Sequence, residues 1–137
     1  MDQMLAVKMR HYLAGTQFGV IMITTGIISP IISKNLDKNS FRKVIRKIWP
    51  RFYYTMTVLS AAQLTALYFE GVALTPSNYH VAIAGTSLIV GIFCNIAIPK
   101  MNAASDKNDH KTFSILHKVT VGGTFAVLLA QMAAPFL

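Results

Sequence analysis

Four long runs with almost no charged residue constrain what this chain can fold into. They cover residues 12–33, 52–69, 80–99 and 112–136, and Lys118 carries the only Lys, Arg, Asp or Glu charge within them. A helix of about 20 residues spans the roughly 30 Å hydrocarbon core of a bilayer. Only 13% of the residues are charged, against about a quarter in soluble domains. We therefore predict an all-α membrane protein, with a four-transmembrane-helix up-down bundle as one integral membrane domain over residues 1–137.

The segment 34–51 is strongly basic and holds seven of the thirteen Lys and Arg residues. Its apolar residues recur at helical spacing, with the basic residues on the opposite face. Asn39 or Ser40 is a suitable N-cap, and Pro50 is expected to end the helix. The pattern predicts an amphipathic interfacial helix over 40–49, between helices 1 and 2, that binds anionic headgroups. The predicted anchor residues are Arg42, Lys43, Arg46, Lys47 and Trp49.

The distribution of basic residues predicts the orientation. The segments 34–51 and 100–111 carry ten Lys and Arg residues, whereas the remaining segments outside the runs carry two. The positive-inside rule places these two segments in the cytoplasm or the mitochondrial matrix, and both termini on the periplasmic or outer side. We expect a bacterial inner membrane or an organelle membrane such as the mitochondrial inner membrane. The same rule explains the net charge of +8 without a nucleic-acid partner.

Polar side chains within the runs are costly in hydrocarbon and are therefore candidates for function. His117 is the most informative of them. It is either a haem or metal ligand or proton carrier, or a residue that hydrogen-bonds Asn95 or a tyrosine and joins two helices. Lys118 is expected to extend to the headgroups. The helical rise places several such groups at a similar depth, roughly 8 Å from the basic end. This predicted inner-leaflet cluster comprises Ser29, Tyr54, Asn95, His117 and Lys118.

Fewer features mark the opposite end. His11 and His80 begin the first and third helices, and facing each other they would be haem or copper ligands; separate interfacial histidines are the alternative. Gln17, Gln63 and Gln131 lie in this half of the spans. No catalytic set of side chains can be assembled, and we predict no cofactor, with haem or copper as the alternative.

Small residues in two helices predict close helix packing. The first helix contains a GxxxG pair, and the fourth has a small residue at every fourth position. Such faces pack inside the bundle or against another protein. The residues are Gly15 and Gly19, and Gly122, Ala126, Ala130 and Ala134.

With the helices placed, the chain resembles a family of small four-helix membrane proteins of unknown function, the transmembrane protein 205-like proteins. That family is distantly similar to copper-resistance D proteins and to the bacterial membrane protoporphyrinogen oxidase. The oxidase resemblance implies haem on a histidine of the first helix, where this chain has only His11 at the edge. The copper-resistance resemblance implies metal handling. The residues that carry the resemblance are Phe18, Gly19, Pro30, Arg51, Phe52, Tyr53, Asn95, Pro99, Phe113 and His117.

These observations favour a non-enzymatic small membrane protein, an accessory subunit or an assembly or stabilising factor of a larger membrane complex. Its expected partners are anionic lipid and other membrane subunits or further copies of itself. The alternatives are a haem- or copper-binding redox protein and an oligomeric transporter of small solutes or metals.

Overall fold

The computed structural model describes residues 2–71 and 78–137, and all regular structure in these ranges is helical. Between the second and third uncharged runs the sequence predicts a short turn over 70–79, most of which lies outside the described residues. Four helical rods make up the described part of the chain. The first rod joins α1 (Gln3–Ile21), a π-helical segment (Met22–Ile28) and α2 (Ser29–Asn35). The second and third rods are α3 (Lys38–Gly71) and α4 (Asn78–Asp106). The fourth is α5 (His110–Ala133), which ends in a short 3-10 turn (Ala134–Phe136).

Among the described residues, three helical stretches are long and apolar enough to cross a membrane. They are Gln3–Asn35, Asn78–Asp106 and His110–Phe136. The all-helical prediction is confirmed, and three of the four predicted spans coincide with these stretches. α3 is long enough as well, but its tyrosines, threonines, Ser60 and Gln63 lower its hydropathy.

The prediction of a separate helix over 40–49 is wrong. α3 continues through Pro50 to Gly71, although a proline inside a helix removes one backbone hydrogen bond. α4 likewise continues through Pro99. The cap of α3 is Asp37, whose carboxylate accepts the backbone N–H groups of Asn39 at 3.0 Å and Ser40 at 3.1 Å. The basic amphipathic turns and the uncharged run after them therefore form one rod.

The first rod changes its helical geometry before Pro30. The Ser29 N–H donates to the carbonyl of Thr24, five residues back, which is the π-helical pattern. Pro30 has no N–H group, so it fits the first turn of α2, where a donor is not required. The Thr25 hydroxyl donates to the Ile21 carbonyl at 2.7 Å. The rod therefore accommodates the proline without ending.

The rods pack side by side in a ring. α3 contacts α1 and α4, and α5 contacts α4 and α1. The Arg10 end, as we name it, contains the start of α1, the end of α3 and the start of α4. The basic end contains α2, the start of α3, the end of α4 and the start of α5. The apolar core lies between them and consists of Ile21, Phe52, Tyr53, Met56, Cys94, Ile98 and Val127.

α3 and α4 approach most closely at Gly91. A Cβ added there would lie 2.7 Å from the Thr57 hydroxyl oxygen and 3.3 Å from the Thr57 backbone. That hydroxyl donates to the Tyr53 carbonyl and accepts a hydrogen bond from Asn95. Only glycine fits this contact without displacing those bonds.

We predict that Gly91→Ala lowers the free energy of unfolding by about 1–3 kcal/mol, because the methyl group overpacks the α3–α4 contact. Gly85→Ala on the same helix is the control, since a Cβ there meets nothing within 4 Å. It should leave stability unchanged or raise it by up to about 1 kcal/mol through helix propensity. Thermal unfolding in detergent, followed by circular dichroism, measures both. Equal stabilities for the two variants would show that α3 and α4 do not approach closely at Gly91.

Candidate functional site

Three buried glutamines from three helices meet in the half of the protein nearer the Arg10 end. Gln17 of α1 accepts from the side-chain nitrogen of Gln63 of α3 at 2.6 Å. It also accepts from Gln131 of α5 at 2.9 Å. All three side chains are at least 97% buried, with Gln17 completely so. A buried amide requires hydrogen-bond partners, and these three amides are hydrogen-bonded to one another.

Two serines complete this amide cluster, which comprises Gln17, Ser60, Gln63, Ser87 and Gln131. Gln17 donates to the Ser60 hydroxyl oxygen at 3.0 Å, and Gln131 donates to the Ser87 hydroxyl oxygen at 3.2 Å. Ser87 brings in α4, so all four rods contribute. Gln131 Oε1 is the one buried side-chain polar atom without a hydrogen-bond partner in the described residues. The sequence carried a signal for this cluster, since the three glutamines lie at one depth in three spans.

A second cluster of polar side chains, formed by Arg10, Glu70 and His80, joins three rods at the Arg10 end. The guanidinium of Arg10 binds the carboxylate of Glu70 through two hydrogen bonds of 2.8 and 3.2 Å. Its Nη1 lies 3.1 Å from His80 Nδ1. A guanidinium can only donate, so His80 accepts with Nδ1 and carries its proton on Nε2. All three side chains are buried, and the carboxylate compensates the buried positive charge.

The structure does not pair His11 with His80, and the alternative of separate histidines describes them. His80 is bound by Arg10, whereas the exposed His11 ring lies 2.8 Å from the carbonyl of Val7 one turn earlier. Within residues 2–71 and 78–137, no group of three or more His, Cys, Asp or Glu side chains is placed to hold a metal ion.

The basic end contains a cavity of about 350 Å³, which we call the basic-end cavity. It lies where α2, the start of α3, the end of α4 and the start of α5 meet. Aromatic and aliphatic side chains form most of its wall. Its lining consists of Ser29, Phe41, Ile45, Arg46, Trp49, Tyr53, Ile98, Met101, Asn102, Phe113, His117, Thr120 and Val121.

A smaller cavity of about 110 Å³ adjoins it and shares Trp49, Tyr53 and Val121. We call it the inner compartment; it extends further from the basic end, because it reaches Leu128, about three helical turns beyond His117. Its hydroxyl groups are paired: Tyr53 lies 3.0 Å from Thr124, and Thr124 donates to a backbone carbonyl. The two cavities together run from a polar rim to an apolar interior.

The rim of the basic-end cavity carries Arg46 and His117. Arg46 is 31% exposed and uses Nη2 to bind Asp106 and the Asn102 carbonyl. Its Nε and Nη1 have no hydrogen-bond partner in the part of the chain that the structure describes. The exposed His117 ring stacks on Phe113 with centroids 5.5 Å apart, and its nitrogens are likewise unpaired there. Arg46 and His117 therefore have hydrogen-bond donors available at the rim of the basic-end cavity.

The acidic residues of this end that cap helices are already engaged. Hydrogen bonds from the Ser40 side chain and backbone lower the pKa of the Asp37 carboxyl. Hydrogen bonds from Thr112 lower the pKa of Asp109 in the same way. These carboxylates stay ionised at neutral pH, and the surrounding basic residues outnumber them.

The predicted inner-leaflet cluster is brought together only in part. Ser29 and His117 both line the basic-end cavity. Asn95 binds Thr57 and the Gly91 carbonyl instead of His117, at 3.2 and 3.0 Å. Tyr54 is 67% exposed, and its neighbour Tyr53 is the buried tyrosine. Lys118 is exposed on the outer side of α5.

The residues predicted to anchor the chain to the membrane surface also differ in their positions, since some are exposed and others contact protein. Lys43 and Lys47 are exposed, and Arg42 is half-buried. Arg46 lines the cavity, and Trp49 stacks on Tyr53 with centroids 6.0 Å apart. The apolar face of the first turns of α3 therefore contacts protein, which periodicity alone does not distinguish from contact with lipid.

The comparison with protein families assigns residues 12–110 to DUF4149, a domain of unknown function. That match covers more than half of the chain. The chain belongs to the DUF4149 family. No curated protein and no solved structure matches it. The DUF4149 match includes the cavity residues from Ser29 to Asn102, whereas His117 and Gln131 lie beyond it.

For this DUF4149 protein we predict that Glu70→Gln lowers the free energy of unfolding by about 3–5 kcal/mol, because it leaves the buried Arg10 charge without a counter-ion. Asp106→Asn is the control, since Asp106 is 53% exposed in its ion pair with Arg46. It should lower the stability far less than Glu70→Gln does, because solvent screens this pair. Chemical denaturation in micelles gives both values. A Glu70→Gln variant as stable as Asp106→Asn would contradict the buried ion pair.

Gln131→Met should cost about 1–3 kcal/mol, because it removes the donors to Gln17, Gln63 and Ser87 and leaves buried acceptors unsatisfied. Replacing Gln17, Gln63 and Gln131 together by Met should cost less than the sum of the three single changes, since no buried amide is then unpaired. The same denaturation assay compares the four proteins. Additive losses would mean that the three amides do not interact.

Proposed function

We propose that this DUF4149 protein is a non-enzymatic membrane subunit that acts by associating with other transmembrane helices. In that role it is an accessory subunit, or an assembly or stabilising factor, of a larger membrane complex. The observation that carries the proposal is the outward face of the first rod, where three glycines have open space at their Cβ positions among the described residues.

These glycines are Gly15, Gly19 and Gly26. A Cβ added at any of them would meet nothing within 4 Å. Each glycine in a helix costs about 1 kcal/mol relative to alanine, and no packing inside this chain offsets that cost. In membranes, glycines at such spacing let a second helix approach closely. The inward face of α1 is already occupied by Ala6, Arg10, Ala14, Gln17 and Ile21.

A four-span topology supports this role. The part of α3 over residues 52–69 carries no charge, and its Ser60 and Gln63 are buried against the other rods. These two polar groups are thus removed from lipid, which allows α3 to be the fourth transmembrane helix of an up-down bundle. The basic end then faces the cytoplasm or the matrix, and both termini lie on the periplasmic or outer side. Lys43 and Lys47 would contact anionic headgroups there.

The resemblance to transmembrane protein 205-like proteins is consistent with a small subunit of this kind. The haem- or copper-binding alternative and the transporter alternative stay predictions, and no contact among the described residues favours either. The three glycines on the outward face of the first rod favour association with another transmembrane helix.

The test is a Gly15→Leu, Gly19→Leu double variant, in which two isobutyl groups block close approach to α1. Gly85→Leu is the matched control, because Gly85 lies on α4 and also has open space at its Cβ. Multi-angle light scattering in mild detergent measures the mass of each purified complex. We expect the wild type and the control to run as an oligomer or with a bound partner, and the double variant as a monomer.

Cross-linking in the native membrane repeats the comparison without detergent. A wild-type protein that is monomeric in both experiments, or a double variant that keeps its partners, would overturn the proposal.

A further inference from the structure

We propose that the basic-end cavity binds an anionic glycerophospholipid of the surrounding leaflet, with one acyl chain inside the cavity and the headgroup phosphate at Arg46 and His117. The site is separate from the glycine face of α1. The inference stands whether or not the protein associates with other helices.

The shape of the two connected cavities fits an acyl chain. The outer cavity, at about 350 Å³, is within the size range of small-molecule pockets. The inner compartment of about 110 Å³ continues it towards the π-helical segment, between Thr25, Phe125 and Leu128. Their walls are mostly apolar, and the nearby Tyr53 and Thr124 hydroxyls are paired with each other. An apolar chain can therefore enter without leaving a buried hydroxyl unpaired.

The rim supplies donors for a phosphate. Arg46 keeps Nε and Nη1 unpaired among the described residues, because its bonds to Asp106 and Asn102 use Nη2 alone. These two groups lie on different edges of the planar guanidinium, so either can donate a charge-assisted hydrogen bond to a phosphate oxygen. His117 lines the same cavity with unpaired ring nitrogens and adds a further donor.

The charge around the rim selects an anionic amphiphile. The segments 34–51 and 100–111 contain ten Lys and Arg residues against Asp37, Asp106 and Asp109. The N-terminal tail with Glu70 contains two basic and two acidic residues, so the excess positive charge is confined to the basic end. Basic pockets between transmembrane helices bind anionic headgroups in this way. A zwitterionic phospholipid carries the same phosphate but no net charge, so the excess positive charge at the rim favours the anionic lipid.

The chain carries its own probe of the site, because Trp49 is its single tryptophan and lines both cavities. We would reconstitute the protein in phosphatidylcholine vesicles and add phosphatidylglycerol with dibrominated acyl chains, which quenches tryptophan on contact. Dibrominated phosphatidylcholine and a dibrominated fatty acid are the comparison lipids. We expect phosphatidylglycerol to quench Trp49 saturably at a mole fraction about five- to tenfold lower than phosphatidylcholine.

Two variants test the assignment to the cavity. Arg46→Gln should remove the preference for phosphatidylglycerol, and Val121→Phe should remove saturable quenching because the larger ring fills the space shared by the two cavities. Lys43→Gln is the control, since Lys43 is an exposed basic residue of the same turns that does not line the cavity. It should keep at least half of the wild-type preference. Circular dichroism checks that each variant is folded.

Equal quenching by the two phospholipids would overturn the proposal, because Trp49 would then contact only bulk lipid. Loss of the preference in Lys43→Gln to the same extent as in Arg46→Gln would show diffuse surface attraction in place of a site. Stronger quenching by the fatty acid than by phosphatidylglycerol would also reject a phospholipid. A misfolded Arg46→Gln variant is replaced by Arg46→Lys, which keeps the charge but loses the directed guanidinium N–H donors and should weaken the preference at least twofold.

Discussion

A polar side chain in an apolar protein must find its hydrogen-bond partner inside the protein, and this requirement shapes the fold. Gln17, Gln63 and Gln131 approach the same point from three rods, and their amides leave little freedom in how those rods are rotated. The buried ion pair between Arg10 and Glu70 imposes the same condition closer to the Arg10 end of the bundle. Once these groups face inward, Gly15, Gly19 and Gly26 lie on the opposite face of the first rod, with open space at their Cβ positions.

The same constraint determines the role of α3. This rod contributes Ser60, Gln63 and Glu70 to the polar groups, and it carries the basic turns at its other end. Because α3 is continuous through Pro50, those turns are held at a fixed angle against α4 and α5 and do not lie separately on the membrane surface. The apolar face of the turns then covers the basic-end cavity, with Trp49 stacked on Tyr53.

The sequence was sufficient for the helical class, the approximate spans and the position of the basic segments, since each depends on composition and period alone. It was insufficient to predict the rotation of each helix about its axis, which decides which side chains are buried and which neighbours they contact. Tyr53 and Tyr54 are adjacent in sequence, yet one is buried and the other exposed. His117 and Asn95 share a depth but face different neighbours. Pro50 illustrates a different limit, because packing on both sides of a proline maintains a helix that local propensity alone would end.

Whether α3 crosses the bilayer is the most direct test of this arrangement. Lys43 and Gly71 lie near its two ends and are exposed, and the native Cys94 is completely buried. Single cysteines at Lys43→Cys and Gly71→Cys can therefore be labelled with a membrane-impermeant maleimide in right-side-out and inverted vesicles. We expect each cysteine to react from one side only, and the two sides to be opposite. Labelling of both positions from the same side would contradict a transmembrane α3 and, with it, the burial of its polar residues inside a membrane-spanning bundle.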